Sequence, residues 1–141
     1  MKKILGCLSM AALAFVLAAP VSAQTLALKA SVPFDFVVAG RTMPAGDYVL
    51  STDGNSGVLQ VRNLVGFSVP AVTVSNGIYS QRDGDGAFFM FNRYGGDYFL
   101  AKIWDGSVAG GRSIPMSGAE RERAKSASLR KPEVVMVLAR R

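Results

Sequence analysis

For chemistry, the chain offers ten carboxylates, a single cysteine and no histidine. Without histidine there is no Ser-His-Asp or Cys-His nucleophile, no imidazole proton shuttle and no ordinary zinc site. A pair of carboxylates working as acid and base stays open. The acids are Asp35, Asp47, Asp53, Asp83, Asp85, Asp97, Asp105, Glu120, Glu122 and Glu133. Most of the aspartates stand beside glycine, where Asp shapes turns through bonds to its own backbone. Turn chemistry is therefore the expectation for them, and no catalytic residue is assigned.

Two further chemistries can be tested on spacing. Asp83-Gly84-Asp85-Gly86 resembles the start of a calcium loop, but the fifth position is Ala87 and no distal Glu follows at the required distance. Asp83 and Asp85 are weak metal candidates at best, and a plain hairpin loop is expected. Lys125 and Ser126 are adjacent, which puts them on different faces of a helix, away from a Ser-x-x-Lys arrangement. Gly95-Gly96 joins two strands instead of opening a helix, so it is no phosphate loop.

The elements that would hold such groups are mostly strands. Short apolar, β-branched and aromatic runs recur, each closed by turn residues, as in an all-β domain. Leu26 to Val38 reads as two strands meeting near Pro33, followed by a turn at Met43-Pro44-Ala45-Gly46. Tyr48 to Ser51 and Val58 to Arg62 read as strands. Phe67 to Ser75 is strand-like, with Pro70 at an edge or bulge. Asn76-Gly77 reads as a turn before a short strand at Ile78 to Gln81. The clearest unit is a hairpin of Ala87 to Tyr94 and Asp97 to Trp104 around Gly95-Gly96. Ser117 and Glu120 have the spacing of a capping box for a helix over Ala119 to Ala127, and Val134 to Leu138 is an apolar run of strand length. The expectation is an all-β, mainly antiparallel single domain: a sandwich or small barrel of about seven to nine strands with one late helix.

A tight Gly95-Gly96 turn would set Arg93 opposite Tyr98, Phe91 opposite Leu100 and Phe89 opposite Lys102. Phe89, Phe91, Tyr98 and Trp104 would then share one face with Arg93 and Lys102. That face is the candidate ligand-binding surface. It could stack on a sugar ring, hold a small apolar ligand or meet a partner strand. Burial of the same face under the helix and terminal strand, as a second core, is the plainer expectation.

The N-terminus carries an address. Lys2 and Lys3 precede an apolar run from Ile4 to Ala19, and Val21-Ser22-Ala23 supplies small residues before a scission point. The run falls short of the ~20 residues that span a bilayer, so residues 1–23 read as a cleaved signal peptide. Residues 24–141 are then the working domain, periplasmic or extracellular. Cys7 leaves with the signal, too close to Lys3 for lipidation. No disulfide can form in what remains, so packing and backbone pairing must hold the fold. The strands are too short, and several too apolar on both faces, for an outer-membrane barrel.

Charge is uneven. Residues 24–111 hold six Lys/Arg against seven Asp/Glu, and residues 112–141 hold eight against three. The alternation Glu120-Arg121-Glu122-Arg123 is that of a solvated helix, and no nucleic-acid partner is implied.

Val32-Pro33-Phe34-Asp35-Phe36, Gly40 and Pro44-Ala45-Gly46 with Tyr48 resemble a group of small exported bacterial proteins of the acidobacterial type. Phe91-x-Arg93-Tyr94-Gly95, Tyr98-Phe99-Leu100, Ile103-Trp104 and the Ser117/Glu120 pair fit the same pattern. The resemblance implies export and one β domain, and the group carries no assigned activity, cofactor or catalytic residues. The functional expectation is a non-catalytic exported domain in envelope structure or binding. A carrier of a small apolar ligand or glycan is the first alternative, and a carboxylate hydrolase the second.

Overall fold

The computed structural model describes residues 25–53, 56–66, 69–79, 86–127 and 131–141. The fold is all-β with one short helix, built as two sheets that do not close into a barrel. Among the described residues eleven strands are formed. The first sheet orders β1 (Leu26–Val32), β4 (Gly46–Thr52), β5 (Val58–Asn63) and β6 (Ala71–Val74), all antiparallel. The second orders β11 (Glu133–Ala139), β8 (Ala87–Tyr94), β9 (Asp97–Trp104), β10 (Gly111–Ser113) and β7 (Asn76–Ile78). A small hairpin of β2 (Phe36–Val38) and β3 (Arg41–Met43) attaches to β9 by a parallel pairing of Val37 with Phe99.

Alternation along each strand builds the core. Leu28, Ala30 and Val32 of β1, Tyr48 and Leu50 of β4, and Leu59 and Val61 of β5 point inward and are buried. They meet Phe89 and Phe91 of β8 and Leu100 and Ile103 of β9, with Phe36 and Val38 filling between. Phe36 touches Tyr48 and Phe91 edge-on at 5.0 and 5.3 Å between ring centroids, a favoured arrangement of ring quadrupoles.

The Asp35 and Pro44-Ala45-Gly46-Asp47-Tyr48 motifs meet in space. Asp35 Oδ1 accepts from Ala45 N–H at 2.8 Å, and Tyr48 Oη donates to Pro44 O at 2.6 Å. Asn63 Nδ2 donates to Tyr48 Oη at 3.3 Å. This buried phenol locks the turn between β3 and β4. Burial pushes its pKa up, with the Asp35 charge adding and the Asn63 bond opposing.

Several expectations need correction. Asn76-Gly77 is strand rather than turn: Gly77 pairs with Arg112 and Asn76 with Ser113. Three-residue partners supplied by β10 gave the segment a ladder that local sequence could not announce. A tight turn was missed at Ala39-Gly40, where both residues take positive φ, 52° and 72°. The hairpin register also differs. Met90, not Phe89, faces Lys102, because Ala101 is an extra residue in β9 between the Met90–Lys102 and Phe91–Leu100 pairs. Such a bulge reverses the inside–outside order of everything beyond it. Phe89 consequently faces Ile103, and Trp104 faces Phe88.

The helix α1 (Gly118–Ser126) starts at Ser117, whose Oγ accepts from Glu120 N–H at 3.1 Å. Glu120 does not complete the box. Its carboxylate turns to the sheet, accepting from Asn92 Nδ2 at 2.9 Å and Tyr94 Oη at 3.4 Å. The helix thus sits on the outer face of the second sheet, not on the Phe89/Phe91 face. Arg123 adds an ion pair to Asp97 at 2.9 Å.

Candidate functional site

The six aromatic and basic residues singled out by sequence do not form one surface. Phe89 and Phe91 are completely buried in the main core. Trp104, 6 % exposed, lies on the opposite face because of the bulge. Its ring lies over Gly111, where an added Cβ would come within 1.9 Å of it. Tyr98 is half-buried and stacked by Phe34, with centroids 3.8 Å apart and planes 12° from parallel. Arg93 closes the other side, its guanidinium 5.3 Å from the Tyr98 centroid and 3.2 Å from Glu133. Phe34 therefore occupies the stacking position that a sugar ring would take. Lys102 is exposed on the outer face, opposite Met90.

The acids are mostly committed to structure. Asp35 holds the Ala45 amide, Asp97 holds Arg123, Glu122 holds Lys125 at 3.1 Å, Glu133 holds Arg93 and Glu120 is buried against Asn92 and Tyr94. Ser126 Oγ donates to Glu122 O at 3.0 Å, so its hydroxyl, too, serves the helix. Burial raises the pKa of Tyr94, and the Glu120 carboxylate raises it further. Asp105 organises the loop after β9. Its Oδ1 accepts from the Ser107 N–H at 2.8 Å and Ser107 Oγ at 2.7 Å, while Oδ2 meets Arg141 at 2.8 Å. Burial acts to raise its pKa, but the Ser107 bonds and the Arg141 charge outweigh it and hold the group below its ordinary value. Asp83 and Asp85 lie outside the described residues. Among the described residues no cluster of three metal-ligating side chains occurs.

The surface that stands out is one the sequence did not single out. On β11 the residues at alternate positions Val134, Met136 and Leu138 face outward and are 54 %, 61 % and 80 % exposed. Cross-strand pairing extends them into rows across the sheet: Met136 beside Met90 beside Lys102, and Leu138 beside Phe88 beside Trp104. The helix meets this face at its Asn92–Tyr94 end. A continuous apolar run such as Val134-Val135-Met136-Val137-Leu138 cannot say which of its faces is left open, which is why sequence alone missed it.

At the end of this strip the two sheets touch. Lys29 and Arg140 exchange both backbone hydrogen bonds, at 2.7 and 2.9 Å. A groove of about 390 Å³ opens here, lined by Lys29, Ser31, Asp47, Leu64, Leu138 and Arg140 among others. Only the nonlocal pairing of β1 with the end of β11 brings its cations together.

No protein-family model matches the chain, and no curated protein or solved structure matches it at a significant level. Among the described residues, no helix is long and apolar enough to cross a membrane.

Proposed function

We propose that the chain is an exported, non-catalytic binding domain that works at the cell envelope through the outer face of β8 and β11. The observation that carries this reading is the uncovered row Val134, Met136 and Leu138 at alternate positions of one strand. Large apolar side chains in a contiguous exposed patch mark interaction surfaces. Support for a non-catalytic role comes from the acids, which cap turns, close a loop or pair with cations. The sequence supports export through residues 1–23.

Fractionation of an exporting host tests the proposal. The protein is expected to start at Gln24 and to sediment with envelopes. Met136→Ser with Leu138→Ser is expected to release it to the soluble fraction at unchanged melting temperature. Retention of Met1 to Ala23, or equal solubility of both forms, overturns the reading. So does turnover of a glycoside or ester that Asp35→Ala or Asp105→Ala abolishes.

A further inference from the structure

Resting on that reading, we infer that the partner is an anionic lipid surface, with Lys29 and Arg140 as its phosphate-binding pair. Lys29 and Arg140 form a hydrogen-bonded antiparallel pair, so their Cα atoms stand ~5.5 Å apart and both side chains leave the same face. Like charges directly opposite one another are destabilising. Neither cation has an ion pair among the described residues, and both are exposed. Asp47 lines the same groove, leaving two positive charges against one negative. An anion bridging the two cations relieves their repulsion.

What lies beside the pair sets the class of anion. Leu138 precedes Arg140 by two residues on the same face, and Met136 and Val134 continue the row away from the charges. Lys102 adds a further cation at the edge of that row, opposite Met90. Cations at one end of an apolar strip match a headgroup phosphate with acyl chains beside it. The strip lies in the interface, and the cations engage the negative surface potential.

The experiment is co-sedimentation of the protein, purified after export, with phosphatidylcholine vesicles with and without phosphatidylglycerol. Binding is expected only with the anionic lipid, and to weaken as salt rises. Lys29→Gln and Arg140→Gln are each expected to cost about fivefold, and together about thirtyfold. Both sites are exposed, and a melting temperature close to that of the unaltered protein verifies folding. A titration with inorganic phosphate separates the two sources of the anion: saturation by phosphate alone, as tight as vesicle binding, overturns the lipid assignment. Equal binding to both vesicle types, or indifference to the double substitution, also overturns it. If envelopes bind through Met136 and Leu138 while vesicles do not, the envelope reading stands and its partner is a protein or glycan. Loss of both removes the two proposals together.

Discussion

Asp105 shows how a carboxylate of apparent catalytic promise is spent on structure. It accepts from the amide and hydroxyl of Ser107 and pairs with Arg141, and these contacts hold its pKa below the ordinary value despite burial. A folded-state pKa below the unfolded one means stability that is fully present above the ordinary carboxylate range. It is lost as pH falls through the folded value. Asp105→Asn is therefore expected to lower unfolding free energy at neutral pH by about 1–3 kcal/mol. The difference should shrink toward zero when denaturation is repeated in acid, below the ordinary carboxylate range. Arg141→Gln removes only a solvent-exposed partner and should cost ~0–1 kcal/mol. The turn role of Asp105 was legible, because Asp next to Gly has a backbone role by default. Arg141 as the partner of Asp105 was not, since thirty-six positions separate them.

At the scale of elements, the long strands and the helix were readable from composition and period, and the short strands were not. Hairpin β8–β9 falls where the Gly95-Gly96 turn puts it, and α1 starts at Ser117 as its cap requires. β3, β7 and β10 are three residues each and lack an apolar period, so only their partners reveal them. The Ala39-Gly40 turn escaped notice because alanine occupies a position that favours Asn or Gly. Its φ of 52° costs about 1 kcal/mol for a residue with a Cβ and no side-chain bond in compensation. Ala39→Asn creates the favoured Asn-Gly pair for a two-residue turn with positive φ at both positions. Thermal unfolding should shift upward by the equivalent of ~0.5–1 kcal/mol, and no shift would mean that the turn is not strained.

For the whole molecule, an all-β domain followed from the strand runs and turn spacing, while the choice between sandwich and barrel and the joining of the two sheets did not. The Lys29–Arg140 bridge ties the end of β11 to β1. Arg140→Pro deletes the amide that donates to Lys29 O. Hydrogen exchange at Lys29 is expected to accelerate, while the amides of Phe89 and Phe91 keep their protection. Uniform acceleration would mean that the bridge supports global stability instead of a local seam.

The extra residue at Ala101 has a consequence for how the chain can vary. Upstream of it, β9 sends Tyr98 and Leu100 inward, and downstream it sends Ile103 inward and Trp104 outward. Replacing a side chain here disturbs one site. Removing or adding a single residue between Phe99 and Lys102 would instead exchange the wet and dry sides of half a strand, driving Lys102 toward the core and Ile103 into water. Spacing at this point carries more structural information than any residue's identity, and substitution is tolerable where deletion is not.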